Sequence, residues 1–390
     1  MFIERRFTMR VLKVCASEWI NESRDERELH LCEESGAEVC VLAKGSPDDR
    51  GRIDHVDGFR VYRYTTRPFP KLPSGVNRII SVLLWARYIR KIKPDIISGH
   101  DLVGATIGLL YSIGRKTRLV YDSHEFELGR NVKRSRLRLK MIKLWEDLII
   151  RRSDFTIVVN TSIANELVRI YGLKKPPVVV RNIPDKWDIS ESGTADMRRR
   201  FTNHFGDGSY IVMYHGILSR NRGVEKLIEA VAKLSRDVKL VLLGNADTPE
   251  YRKYLCRMVA AKNLTDRVCI LDAVPHSELW KYIGASDLCA APIIPQYKSY
   301  YFALPNKLFE SIQCGTPIIG SELPEMSRII NGYGVGMTFD PYDPDSIADA
   351  IVKMKAKGRD AYSAALEAAN CSLNWENEKK QLYKAYKRYL

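Results

Sequence analysis

YIVMYHGILSRNRGVEKLIEA, running from Tyr210 to Ala230, is the stretch on which the fold turns. Tyr210–His215 is a continuous run of β-formers, the pattern of a strand buried on both faces. Gly216 ends it. A polar, basic turn follows, Ser219-Arg220-Asn221-Arg222-Gly223, and a helical pattern starts at Val224 and runs to Leu234. Strand, glycine-bounded turn and helix in that order form half of a βαβ unit, which implies a parallel sheet covered by helices.

The same alternation extends outward in both directions. Downstream, the spacing predicts strands at Lys239–Leu243, Val268–Leu271, Asp287–Ala291, Pro317–Gly320 and Val335–Phe339, with helices that include Glu250–Lys262 and Asn306–Gln313. Upstream, Asn182–Gly193 is polar, carries Pro184 and Gly193, and reads as a linker or irregular segment. Before it lies another series of strands, Arg10–Ala16, Glu38–Ala43, Phe59–Tyr64, Asp95–Ser98, Arg118–Asp122, Asp154–Val159 and Val178–Arg181, separated by amphipathic stretches such as Arg24–Ser35, Val76–Ile92 and Arg136–Arg152. The fold class is therefore α/β, with two Rossmann-like, doubly wound domains expected to face each other across a cleft.

With 390 residues, 45% of them apolar and 28% charged, the chain can bury two cores. No repeat of solenoid period is present. Met1–Arg10 is polar and charged and lacks the apolar core of a signal peptide, and Met9 offers a second start beside Met1. The longest apolar run, Ile79–Trp85, is too short to cross a bilayer. Eight cysteines are scattered without a C-x-x-C pair, mostly in apolar runs, as expected of free thiols in a reducing cytosol. The net charge of +15 calls for an anionic partner.

In doubly wound sheets, ligands sit beyond the carboxyl ends of the strands, so chemistry is sought there. Leu304-Pro305-Asn306-Lys307-Leu308-Phe309-Glu310 opens a helix with Pro305 at its start. Its first N–H groups, the helix dipole and Lys307 would attract phosphate, while Glu310, three residues on, could accept hydrogen bonds from two vicinal hydroxyls. The competing reading is an ordinary surface ion pair between Lys307 and Glu310. After Tyr210–His215, Gly216 would let a ligand approach the backbone, and Arg220 and Arg222 could neutralise a diphosphate. Gly244-Asn245 repeats the logic after Lys239–Leu243. No G-x-G-x-x-G follows a strand, which argues against a nicotinamide dehydrogenase. In the first half, His100-Asp101 and Asp122-Ser123-His124-Glu125 stand at neighbouring strand ends, too scattered to specify a metal site.

Several stretches together resemble glycosyltransferase family 4, a retaining family of GT-B architecture. They are YHGILSRNRGVEKLIEA, VLLGNAD, LDAVPHSELWKYIGASDLCAAP and LPNKLFESIQCGTPIIGSELPE in the second half, and SRDERELHLCEESGAEVCVLA, KPDIISGHD, YDSHE and VVVRNIP in the first. The resemblance implies an acceptor-binding domain over 1–185, a nucleotide-sugar-binding domain over 186–373, and a helix at 374–390 that crosses back to the first. It implies a nucleotide-diphosphate sugar donor, UDP ahead of GDP, and a glycan, polysaccharide or lipid-linked acceptor, with no metal cofactor. Glu310 takes the place of the glutamate that holds the ribose, Arg222 and Lys307 serve the diphosphate, and His124 lies beside the donor sugar. Gly216, Arg220, Gly244, Asn245, Leu304, Asn306 and Leu308 fall on the donor side, with Ala273 and Val274 holding the base through their backbone. Glu18, Trp19, His100, Asp101 and Glu125 fall on the acceptor side. The sequence departs from the family at Phe302, where a glutamate is common, and at Ser17-Glu18-Trp19, which replaces a glycine-rich loop.

Between Gly129 and Arg152 stand nine Lys or Arg against Glu146 and Asp147, interleaved with Leu137, Leu139, Met141, Ile142, Leu144, Trp145, Leu148 and Ile149. This segment reads either as an anionic-membrane surface element, which would make a cytoplasmic protein peripheral to the plasma membrane, or as a core helix with a solvated basic face. Nucleic acid is not expected, since no module that binds it is present. Rival functions are a nucleotide-sugar epimerase of the same architecture and a non-catalytic nucleotide-sugar-binding scaffold, the latter kept open by Phe302.

Overall fold

The computed structural model describes residues 9–19 and 23–390, so the start at Met1 lies outside the described residues. The chain forms two units, Met1–Arg181 with Glu378–Leu390, and Asn182–Asn377.

In unit 1 the elements follow as β1 (Arg10–Val14), α1 (Ser23–Glu34), β2 (Glu38–Lys44), β3 (Arg50–Val56), β4 (Phe59–Tyr64), α2 (Ser74–Ile92), β5 (Ile96–His100), α3 (Asp101–Ser112), β6 (Arg118–Ser123), α4 (Arg136–Arg152), β7 (Phe155–Val158), α5 (Thr161–Tyr171) and β8 (Val178–Val179). The sheet order is β3-β4-β2-β1-β5-β6-β7-β8. Its apolar strands pair in parallel, and Val11, Leu12 and Val14 of β1 are fully buried. Each such aliphatic side chain contributes about 1.5–3 kcal/mol by leaving water. β3, antiparallel to β4, is absent from the sequence expectations. It is an exposed edge rich in charge, RGRIDHV, with no apolar run to announce it.

Unit 2 contains α6 (Glu191–Phe205), β9 (Tyr210–His215), α7 (Val224–Ala232), β10 (Val238–Leu243), α8 (Pro249–Ala261), β11 (Val268–Leu271), α9 (His276–Gly284), β12 (Leu288–Ala291), α10 (Lys298–Tyr301), α11 (Asn306–Gln313), β13 (Ile318–Ser321), α12 (Pro324–Tyr333), β14 (Gly336–Phe339), α13 (Pro344–Lys357) and α14 (Ser363–Ser372). All strands are parallel, in the order β11-β10-β9-β12-β13-β14. The segment read as irregular ends earlier than expected. Ser190 caps α6 by accepting the Gly193 N–H at 3.1 Å, so Glu191–Gly193 is already helical.

α15 (Trp375–Tyr386) starts in unit 2 and finishes in unit 1. Glu378 fixes its return, accepting from the Arg181 backbone N–H at 2.7 Å and from the Arg181 guanidinium at 2.9 and 2.5 Å. Strand order reverses direction at β1/β5 in unit 1 and at β9/β12 in unit 2, which opens a crevice at the carboxyl ends of those strands. Among the described residues, no helix is long and apolar enough to cross a membrane.

Candidate active site

In unit 2, β9 delivers His215 and Gly216 to the switch point, and β10 delivers Gly244 beside them. Gly216 has φ +110° and Gly244 φ +154°. A Cβ on Gly244 would overlap the Gly216 carbonyl oxygen, so these turns can stack only with glycine at 244. From the other side of the switch point comes α11, buried from Lys307 onward. The N–H groups of Asn306 and Lys307, in its first turn, have no partner inside the helix.

Glu310 lies on the inner face of α11. One oxygen accepts from His215 Nε2 at 2.9 Å and the other from His276 Nε2 at 3.2 Å. Burial alone would raise the carboxyl pKa, but these hydrogen bonds outweigh it and bring Glu310 down to about 2. His215 Nδ1 is buried with no partner, and burial lowers the pKa of the ring. A neutral His215 therefore donates through Nε2 to an ionised Glu310. His276, exposed and tilted against Trp187 at 4.9 Å, holds the other oxygen from the solvent side.

Lys307 extends its ammonium over the Tyr214 ring, 3.6 Å from the centroid. Burial first, then the neighbouring charge of Arg222, push Lys307 down to about 7, against the pull of Glu310. The Arg222 guanidinium lies 5.4 Å over Tyr300, and its Nε is buried without a hydrogen-bond partner. Thus Lys307 lies within electrostatic reach of both Arg222 and Glu310, while the two histidines hold the carboxylate and leave both cations without an ion-pair partner among the described residues. Such a group is poised to accept an anion. Both Lys307 and Glu310 are buried, which removes the surface ion pair as an account of them.

Other expected donor residues have different assignments. Leu308 is a correction: its side chain is fully buried in the core and its N–H is taken by the Pro305 carbonyl at 3.1 Å. Arg220 turns toward α8, over Tyr251 and Tyr254 at 5.9 and 5.4 Å. Asn245 Oδ1 accepts the Ala273 N–H at 3.1 Å, which fixes the exposed Ala273 backbone and the half-buried Val274. Leu304 packs partly buried against the core. Phe302 is buried, with the Lys298 ammonium 5.6 Å from its ring, so an aromatic face stands where the resemblance places a carboxylate.

Unit 1 builds a different cluster at its own switch point. Lys13 of β1 is fully buried, and its ammonium meets Asp25 and Asp122 at 2.8 Å and Glu28 at 2.6 Å. Arg24 adds a bond to Asp122 at 2.9 Å, and Tyr386 of α15 donates to Glu28 at 2.5 Å. His124 Nε2 sits 2.9 Å from Asp122 and 3.2 Å from Asp25, while His100 Nδ1 is 2.6 Å from Asp25 and its ring centroid 4.0 Å from that of His124. Burial opposes charge on His124, yet Asp122 and Asp25 raise it to about 10, making it an imidazolium. Asp25 and Asp122 lie well below the usual carboxylate range; burial opposes this, and Lys13 and Arg24 respectively head the charges that overcome it.

Two groups here have ligand spacing, Asp25/His100/His124 and Asp25/Glu28/Asp122. Lys13 already supplies the cation of the second, and in the first His124 Nε2 also lies 2.9 Å from Asp122.

Asp101, at φ +53°, accepts the His124 N–H at 3.0 Å and pairs with Arg130; Glu125 is exposed, 3.4 Å from Arg130. Glu18 pairs with Lys44 at 2.7 Å. Trp19 corrects the acceptor side: it is fully buried, edge-on to Phe59 at 6.2 Å, and presents no surface. Sequence reasoning missed His215, His276, Lys13, Asp25 and Glu28. A lysine inside an apolar strand, RVLKV, was the available signal for Lys13. His276 had none, since it lies 34 positions before Glu310.

Two family models match the chain, one described as glycosyl transferases group 1 over residues 197–369 and one as glycosyltransferase family 4 over residues 29–185. An uncharacterized glycosyltransferase of Methanocaldococcus jannaschii is 24% identical over 372 residues, 90% of each chain. A D-inositol 3-phosphate glycosyltransferase of Pseudarthrobacter chlorophenolicus is 24% identical over 335 residues, 82% of this chain and 77% of the relative. Among solved structures, sucrose-phosphate synthase from Thermosynechococcus elongatus superposes with a TM-score of 0.77 at 20% identity, covering 97% of this chain and 98% of that one. Anabaena HepE in complex with UDP-glucose gives 0.74 at 17% identity, covering 97% and 100%.

Proposed function

Because the chain belongs to the group 1, family 4 glycosyltransferases and is an enzyme of glycosyl transfer, we propose that it moves a sugar from a nucleotide diphosphate, UDP ahead of GDP, to a glycan or lipid-linked acceptor with retention at the anomeric carbon. The observation that carries this reading is Lys307, buried on α11 within electrostatic reach of both Arg222 and Glu310, where Glu310 bonds His215 at the end of β9. Cleavage of the bond between the sugar and the diphosphate leaves its electron pair on a phosphate oxygen. Arg222, Lys307 and the first turn of α11 stabilise that growing charge more than the ground state, which lowers the barrier. The acceptor oxygen attacks from the face the diphosphate leaves, and its proton passes to the departing phosphate oxygen. These fixed charges take the part a metal plays in other phosphate chemistry. Glu310 binds the ribose, and the oxygen held by the exposed His276 is the one open to exchange with a ribose hydroxyl. Unit 1 takes the acceptor, and His124 is its residue for the donor sugar.

The basic segment 129–152 supports a peripheral position on an anionic, cytoplasmic membrane face. Its Glu146 does not offset that charge at the surface: it is buried between the Tyr121 and Tyr171 hydroxyls at 2.9 and 2.6 Å, and burial raises its pKa to about 7.

Incubation with UDP- and GDP-sugars, with and without acceptor extracts, tests the reading through released nucleotide. Arg222→Ala and Glu310→Gln are expected to abolish transfer while circular dichroism stays native. Full activity in both would refute the assignment. The aromatic at Phe302 favours a scaffold as second reading, and binding of a UDP-sugar without turnover would support it.

A further inference from the structure

We propose that unit 1 holds a lipid-phosphate site, a groove between α2 and α4 that takes the hydrocarbon chain of a phosphate-bearing membrane lipid and places its phosphate among Arg67, Arg78 and Arg138. The proposal rests on the lipid-linked acceptor named above and gives that acceptor a place to bind.

The groove has a volume of about 900 Å³, and its lining is mostly apolar. That is ample for a small-molecule site, for which ~300–1,000 Å³ is usual. α3 contributes Val103 and Ile107, α2 contributes Leu83 and Trp85, and α4 contributes Ile142 and Trp145. Trp145 is fixed there by its Nε1, which donates to Thr106 at 2.8 Å.

Charge around the groove selects the head of the occupant. Its two carboxylates are already matched: Asp101 pairs with Arg130, and Glu127 with Arg130 at 2.7 Å and Arg134 at 2.9 Å. Lys44 is taken by Glu18 at 2.7 Å. Arg67, Arg78 and Arg138 remain, exposed and without a carboxylate partner among the described residues. A surplus of guanidinium beside an apolar channel suits a phosphate carried on a hydrocarbon.

The helix that forms one wall also selects a bilayer as the source. On α4, Arg138, Ile142 and Trp145 face the groove. The adjacent face carries Leu137, Met141, Leu144 and Leu148 at helical spacing, with the first three 62–72% exposed. Arg136, Lys140 and Lys143 flank this stripe and have no carboxylate partner among the described residues. Across the groove, α2 exposes Val76, Ile79 and Leu83. An apolar stripe bordered by unpaired cations fits the headgroup boundary of an anionic membrane, which would bring the groove mouth level with lipid phosphates.

The test uses the full chain and a chain-brominated long-chain alkyl phosphate, read as quenching of tryptophan fluorescence. Saturable quenching is expected, diminished in Trp145→Phe. The double variant Arg78→Gln/Arg138→Gln should weaken binding about tenfold or more, since each bond to a charged partner is substantial. The brominated alcohol of equal chain length should bind the native protein equally weakly, and inorganic phosphate should not displace the lipid. Absence of quenching, indifference to the arginines, or displacement by inorganic phosphate would each overturn the site; absent quenching would leave the stripe to a protein partner. UDP binding, measured by calorimetry on the same sample, separates the two levels. Normal UDP binding without quenching sinks the lipid site alone, and quenching without nucleotide binding sinks the donor reading alone.

Discussion

Raising the pH above neutrality should weaken donor binding, and the weakening should run through Lys307. Its ammonium is held down to about 7 by burial and by Arg222. If only the charged form takes the diphosphate, the apparent dissociation constant scales as 1 + 10^(pH − 7). The constant is then near its floor at pH 6 and about tenfold higher at pH 8. A UDP-sugar is the right titrant, because its diphosphate keeps its charge across this range. Calorimetry at pH 8 should also show uptake of nearly one proton on binding. Lys307→Arg keeps the charge at every accessible pH and should flatten the profile. A native profile flat from pH 6 to 8.5, or an arginine variant that tracks the native one, would refute the reasoning. Stability carries the opposite sign. Between pH 7 and 10.5 the unfolded chain binds the proton that the folded Lys307 lacks, so this group's contribution to stability rises with pH there. At neutral pH the depressed ammonium costs the fold roughly 4–5 kcal/mol at most, and Lys307→Met should raise the denaturation midpoint while donor affinity falls.

In unit 1, Lys13→Met removes the ammonium shared by three buried carboxylates and should cost about 3–5 kcal/mol in denaturant unfolding. Asp25 and Asp122 have depressed pKa values when folded, so their contribution is present above pH ~4 and lost as acid is added, with unfolding monitored by circular dichroism. His124, raised to about 10, should show no ring-proton titration by NMR between pH 5 and 8; a midpoint near its ordinary value would contradict the cluster. Gly244→Ala forces a side chain into the Gly216 carbonyl at an unfavourable φ and should cost about 1–3 kcal/mol, with donor affinity lost as well. Because the proposed chemistry rests on the chain's own cations, transfer should survive excess chelator; loss restored by added divalent ion would overturn that part.

The two sheets are legible because their central strands are apolar runs between turns, and Tyr210–His215 occurs as expected. β3 was not, because an edge strand facing water needs no apolar pattern. Among candidate site residues, Arg222, Lys307 and Glu310 are proposed from glycine, proline and helix-start chemistry. His276 reaches Glu310 only through the fold. Trp19 and Leu308 mislead for the same reason: side-chain direction is set by packing, which a strand-end position does not reveal. The segment 129–152 leaves two readings open: α4 buries Ile149 and Ile150 as a packed helix does, while Leu137, Met141 and Leu144 are exposed.

The hydroxyl of Tyr386 reaches Glu28, and Glu378 clasps Arg181, although all of Asn182–Asn377 lies between those partners in the chain. During synthesis the first unit therefore stays short of one donor to its buried charges until the whole second unit has left the ribosome. Unit 2, made of contiguous residues, can mature on its own schedule. Truncation just before Glu378 should consequently injure the half of the molecule that was translated first.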